Sequence, residues 1–246
     1  MDGIGREFLE KTEYRYLSPS DQERGVEQPP LQVRLGEGEV VELPDPREVR
    51  DSGLGLREAF EARRSLREYG EASLSLAELA FLLWSSQGVS RVIPERATFR
   101  TVPSAGARHA FETVVLANRV EGLVPGAYQY LALDHRLMRL DPSPDLAVRM
   151  AEACLGQKMV HQSAATFVWV ADRRRMSWRY GERGVRYLFL DAGHVCQDLY
   201  LAAESIGAGA CAIGAFDDRR VNGLLGLDGI ERFVVYLASV GKRLSD

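Results

Sequence analysis

The chain has 246 residues, 46% of them hydrophobic, with 31 basic against 35 acidic side chains. That is enough apolar material for one large domain or two small ones, and a formal net charge of -4 excludes an overall basic field that would recruit nucleic acid or an anionic membrane. The apolar runs fall far short of the roughly 20 residues that cross a bilayer, and residues 1–17 lack a signal-peptide core, so a cytoplasmic protein is expected.

Residues 1–50 are polar and proline-bearing, with little sustained periodicity, and read as an N-terminal arm or leader around a main body of residues 51–246. "LREAFEARR" (56–64) has helical spacing. "SLAELAFLLWSSQG" (75–88) opens with a capping box, Ser75 with Glu78, and closes at Gly88. After a polar loop, "FETVVLAN", "GAYQYLAL" and "HRLMRL" are β-rich runs separated by Pro125-Gly126 and Asp134-His135, the pattern of an antiparallel meander. A helix over 144–156 and a strand over 165–171 follow. One long helix is predicted from Trp178 to Ile206, with Leu188, Ala192, Val195, Leu199, Ala203 and Ile206 on one stripe and Gly207 past its end. "GACAIGAF" (209–216), a short helix opened by Asp217 or Asp218, and the strand "FVVYLASVG" (233–241) complete an α+β arrangement.

Cys154, Cys196 and Cys211 form neither a CxxC pair nor an even disulfide framework and read as small buried hydrophobes in a reducing compartment. The four histidines show no metal-ligand spacing, and no metal is assigned. His194 and Cys196, two apart on a helix, point to different faces and make no dyad.

Four stretches stand out. "EARRSLREYGE" (61–71) places Arg63, Arg64 and Arg67 around Ser65 where a helix gives way to extended chain, a fan suited to phosphate oxygens or to a solvated basic face. "TVPSAGARHAFE" (101–112) holds Pro103, Ser104, Ala105 and Gly106 in a tight loop whose lack of bulk permits either an ordinary turn or close approach of a flat ligand. "GAGACAIGAF" (207–216) is small where a core wants volume, either for tight backbone packing or to admit a planar ring. In "SVGKRL", Lys242 and Arg243 follow a strand and reach toward an anion.

Together "RRSLREY", "PSAGARHAFET", "VEGLVPGAYQY", "RYGERGVRYLFLDAGHVCQDLYLAAESIGAGACAIGAFDD" and "VGKR" resemble, in order over about residues 57–243, the nitroreductase superfamily, specifically its SagB-type dehydrogenase branch. The resemblance implies a nitroreductase-like α+β fold, a central mixed or antiparallel sheet flanked by helices, and an FMN-dependent homodimer with flavin at the subunit interface. Carried onto this chain, it places Arg63, Arg64 and Ser65 near the flavin phosphate and ribityl chain and Arg67 toward the N1 and O2 edge. Lys242 and Arg243 complete the phosphate clamp, and Pro103, Ser104, Ala105 and Gly106 cover the flavin of the other subunit. Gly214 and Ala215 aim a backbone N–H at N5. The cofactor would then carry the hydride chemistry while the protein positions it.

The implied activity is NAD(P)H-dependent, ping-pong reduction of a small nitroaromatic or quinone acceptor, or dehydrogenation of a metabolite. A second reading is azoline oxidation in a modified peptide, for which some branch members use a Lys-Tyr pair before "GERG". Here Tyr180 is kept and Arg179 replaces the lysine, and a guanidinium does not serve as a base. Arg179 instead holds a substrate carboxylate or bridges Glu182. A third reading, of another class, is a flavin-binding sensor or sequestering protein without turnover.

Overall fold

The computed structural model describes residues 3–49, 52–143 and 145–244. Its centre is built from two mostly apolar strands, β4 (Phe111–Ala117) and β7 (Ala165–Asp172), each buried at every position, Glu112 and Asp172 included. Such runs suit strands covered on both faces. Val115, Phe167 and Trp169 enter one core cluster while Val114, Leu116, Val168 and Val170 enter the other, as alternation along a strand requires.

Among the described residues these strands sit within a seven-stranded sheet completed by β1 (Val40–Glu42), β5 (Gly126–Leu131), β6 (Arg136–Asp141), β8 (Ala208–Ile213) and β9 (Arg232–Lys242). The order is β1-β6-β5-β4-β7-β9-β8, and every pairing is antiparallel. The predicted meander is β4, β5 and β6 in neighbouring positions. A separate hairpin, β2 (Val89–Ile93) with β3 (Ala97–Arg100), occupies what the sequence reading left as a polar loop.

One sheet face is covered by α3 (Leu76–Gln87), α6 (Arg173–Tyr180) and α7 (Gly184–Ser205), the other by α4 (Leu146–Ala153), α5 (Met159–Gln162) and α8 (Asp218–Leu224). In α3 the Ser75 hydroxyl accepts from Glu78 N and the Glu78 carboxylate accepts from Ser75 N, the expected capping box. Leu79, Leu82 and Leu83 are fully buried, each worth about 1.5–3 kcal/mol by area removed from water. Asp217 caps α8 by accepting from Arg220 N. The predicted helix over 144–156 is observed as α4; Pro144 lies outside the described residues. All three cysteines are buried and free.

The continuous helix expected over 178–206 is instead two. α6 ends at Tyr180, a 3-10 turn spans Gly181–Arg183, and α7 starts afresh at Gly184. Gly181 lies at φ 52°, ψ -142°, a conformation that a residue with a side chain adopts only under strain. The stripe from Leu188 to Ile206 is buried as predicted, and Trp178 belongs to the preceding helix.

Residues 3–49 run across this body. Beyond α1 (Ile4–Lys11), Arg183 donates to the Thr12 carbonyl at 2.8 Å, and Arg186 donates to the Leu9 carbonyl and the Thr12 hydroxyl. Gln22 N donates to the Trp178 carbonyl, and Trp178 Nε1 donates back to the Val26 carbonyl, both at 2.8 Å. Val33 N donates to Glu112 and Leu35 N to Gln129, after which β1 pairs with β6. The expected division between residues 50 and 51 lies outside the described residues. No described helix is long and apolar enough to cross a membrane.

Candidate active site

α2 (Leu56–Ala62) ends at Arg63, whose backbone turns extended at φ -51°, ψ 121°. The chain then runs beside β8: Ser65 forms a parallel bridge with Ala210, and Leu66 N donates to the Ala210 carbonyl at 2.9 Å. Arg63 and Ser65, two apart on extended chain, face the same partner. The Arg63 guanidinium lies 5.4 Å from the Tyr200 ring centroid, and the Ser65 and Tyr200 hydroxyls are 3.1 Å apart. Tyr200 also accepts from Ala212 N at 2.8 Å. Arg67 is exposed, its one hydrogen bond among the described residues a long 3.5 Å contact to the Ser65 carbonyl.

Arg64 turns away. Its Nη1 donates to the carbonyls of Glu61 and Arg63, covering the open end of α2. Lys242 and Arg243 are already ion-paired within the chain. Lys242 Nζ donates to Glu78 at 2.5 Å and to the Ile206 carbonyl at 3.0 Å, and Arg243 donates to the buried Glu204 at 2.5 Å. An anion taken up beside them competes with two carboxylates.

Small residues around β8 divide into two kinds. A Cβ on Gly209 would stand 2.7 Å from the Leu66 side chain, so its smallness serves packing. A Cβ on Gly214 meets only Tyr236, at an ordinary 3.6 Å, and the N–H groups of exposed Gly214 and Ala215 have no partner among the described residues. Nothing inside the described chain accounts for Gly214.

The second loop is fixed by a residue the sequence reading missed. The Ser104 hydroxyl donates to Asp191 at 2.5 Å and Ala105 N donates to the same carboxylate at 3.2 Å, while His109 N donates to Ser104 Oγ. Pro103 stands exposed at the loop's start. Burial pushes the Asp191 carboxyl above its ordinary range, opposed by those two hydrogen bonds. Desolvation, joined by the charges of Arg100, Arg108 and Arg175, holds His109 down to about 3, so it is neutral near pH 7. A lone aspartate between Leu188 and Ala192 on an apolar stripe was the available signal for a buried carboxylate in need of partners. Tyr200, also missed, lies beside the same stripe without any local cue.

Gly106 has φ 57°, and a Cβ there would stand 2.4 Å from the Tyr180 hydroxyl and 3.0 Å from Arg179 Nε. Within one chain this loop therefore makes room for Tyr180 and Arg179. Gly106→Ala is expected to lose about 1–3 kcal/mol of stability from left-handed backbone strain plus the displaced hydroxyl. Gly223→Ala, in α8 with open space around it, should gain about 0.5–1 kcal/mol. Urea titration of both variants checks the contrast.

Tyr200 and Asp191 are about 14 Å apart along α7 at 1.5 Å per residue, so the Ser65 group and the Ser104 loop occupy different ends of one helix. Just before Asp191, α7 exposes Phe189 (55%) and Leu190 (59%), and the neighbouring α2 exposes Leu56 and Phe60.

A donor set of guanidinium groups, a hydroxyl and unpartnered backbone N–H groups, with an unexplained glycine at its edge, fits an anionic cofactor that carries a planar ring. Comparison with known proteins gives the same direction. The model of the nitroreductase family matches residues 60–242. A candidate nitroreductase of Methanocaldococcus jannaschii is 32% identical over 210 residues, 85% of this chain and all of that one. The trifolitoxin-processing protein TfxB of Rhizobium leguminosarum bv. trifolii is 30% identical over 133 residues, 52% of this chain and 36% of its own length. The crystal structure of a candidate nitroreductase from Ralstonia eutropha superposes with a TM-score of 0.69 at 25% identity, covering 89% of this chain and 98% of that one.

Proposed function

The chain belongs to the nitroreductase family, and from that premise we propose that it is an FMN-dependent oxidoreductase, a cytoplasmic homodimer that uses NADH or NADPH to reduce a small nitroaromatic or quinone acceptor. The observation that carries this reading is the cluster of Arg63, Ser65, Tyr200 and Arg67 against the small-residue strand β8. Arg63 and Ser65 hold the phosphate and ribityl end, and Arg67 supplies a cation where negative charge accumulates on reduction. Arg64, Lys242 and Arg243 form an outer ring of positive charge, the last two released from Glu78 and Glu204 when an anion arrives. Gly214 and Ala215 offer backbone donors to the ring edge. Bound FMN supplies hydride exchange at N5; the chain binds, orients and shields it.

Exposed Phe189 and Leu190 on α7, with Leu56 and Phe60 exposed on the neighbouring α2, support a second copy packing on these elements. The partner's Pro103–Gly106 loop then covers the site, which accounts for the separation of the two groups along α7. Donor and acceptor occupy one site in turn. Steady-state rates at varied NADPH and nitroaromatic concentrations should give parallel double-reciprocal lines; intersecting lines would exclude alternating occupancy.

The likeness to TfxB favours a second reading, a dehydrogenase that tailors a peptide. Tyr180 then holds or yields a proton at its hydroxyl, while Arg179, unable to act as a base, serves binding.

A further inference from the structure

Between α6, the Gly181–Arg183 turn and the arm lies a cavity of about 530 Å³, lined among others by Tyr14, Ser20, Glu23, Arg179, Tyr180 and Arg183. Arg183 is committed: it lies 4.4 Å from the Tyr14 ring centroid, donates Nε to the Tyr187 hydroxyl, and donates Nη1 to the Thr12 carbonyl. Glu23 is committed as well, because its carboxylate accepts from Ser20 N and Oγ, which hold it below the ordinary carboxylate range. Arg179 is not. It lies 5.7 Å from the Tyr180 ring centroid, and its guanidinium has no hydrogen bond or ion pair among the described residues, Glu182 included. Buried Arg108, 5.4 Å from the Trp178 ring centroid, is held below the ordinary guanidinium range by burial first and then by the nearby charge of Arg179, so the cavity's edge is positive.

An unpaired guanidinium beside phenol rings is a donor set for a planar carboxylate attached to an aromatic or conjugated group. The fork binds the carboxylate through two charge-assisted hydrogen bonds, and the rings stack the remainder. The wall from Tyr14 to Glu23 lies before residue 60, where the family match begins. Tyr180 meets the Gly106 loop, so the cavity opens beside the part of the chain assigned to cover the cofactor.

We propose that this cavity is the subsite for the carboxylate end of an aromatic acid, with Arg179 as its partner and the arm as its outer wall. As a statement about substrate it rests on the oxidoreductase reading; as a statement about binding it stands alone. The test is calorimetric titration of the full-length flavin-loaded protein with benzoate, which accepts no hydride, and with neutral benzamide. Benzoate should bind better than benzamide, and Arg179→Gln should remove that preference, weakening benzoate about ten- to a hundredfold. Arg179→Lys should recover part of it, and Tyr14→Ala, in the part of the lining contributed by the arm, should weaken both ligands. The assignment is overturned if benzoate shows no saturable binding, if Arg179→Gln leaves the benzoate preference intact, or if that variant raises the KM for NADPH with the benzoate preference unchanged. A protein that binds benzoate through Arg179 yet oxidises neither nucleotide would uphold the subsite and refute the oxidoreductase reading.

Discussion

Glu112→Leu should lower stability by about 3–5 kcal/mol, because it strands a buried cation. Glu112 and Arg175 are 3% and 1% exposed, and Arg175 Nη2 donates to Glu112 Oε1 at 2.5 Å while Nη1 donates to the His109 carbonyl at 2.9 Å. The same carboxylate accepts Val33 N from the arm and Gln129 Nε2 from β5, so three segments distant in sequence meet on one side chain. Asp172, paired with Arg175 at 3.8 Å, accepts no hydrogen bond from the guanidinium and offsets the loss only in part. Burial already pushes neighbouring Arg100 down to about 10, a sign of how little solvent this region admits. Urea unfolding should show a midpoint displaced well below the parent's, with protease sensitivity appearing first around residues 28–38. Adding Arg175→Met should recover a large part of the loss, since a buried pair exchanged for apolar side chains is often neutral. A single-variant loss under about 1 kcal/mol would mean that water reaches the pair and that the arm is held some other way.

Arg63→Ala with Arg67→Ala should weaken FMN binding about a hundred- to ten-thousandfold while leaving the fold intact. Charge-assisted hydrogen bonds contribute about 1.5–3 kcal/mol each, and two are removed. Among the described residues neither guanidinium has an ion pair that its removal would strand: Arg63 rests on the Tyr200 ring, and Arg67 makes one long contact to a backbone carbonyl. Circular dichroism and the urea midpoint should therefore stay near the parent's as flavin is lost. Arg64→Ala should weaken FMN far less, because that side chain is engaged with the end of α2. Retention of FMN by the double variant, by fluorescence titration, would return these arginines to a solvated surface.

Elements governed by local rules were readable from sequence: the strands β4 and β7, the Ser75–Glu78 capping box, and the short helix opened by one of two aspartates, which the structure resolves as Asp217. The break falls at "GERG" (181–184), two glycines with no apolar residue between them, and was missed because the stripe that defined the helix begins only at Leu188, beyond it. The β2–β3 hairpin, with Arg91, Glu95 and Arg96 in "VSRVIPERATFR", buries too little to leave an apolar signature. β1 is three residues long and depends on β6 for its existence. At the candidate site, the arginine–serine spacing pointed to one face and the structure supplies that face as Tyr200. The commitments of Lys242 to Glu78, Arg243 to Glu204 and Ser104 to Asp191 all join residues at least 39 apart, which no local pattern encodes.

FMN dependence is read from the absorption spectrum of the purified protein, recorded anaerobically before and after NADPH and then NADH, with mass spectrometry of the released chromophore. Flavin bands should bleach with at least one nucleotide, and the chromophore should have the mass of FMN. A colourless protein that takes up no added FMN would contradict that dependence.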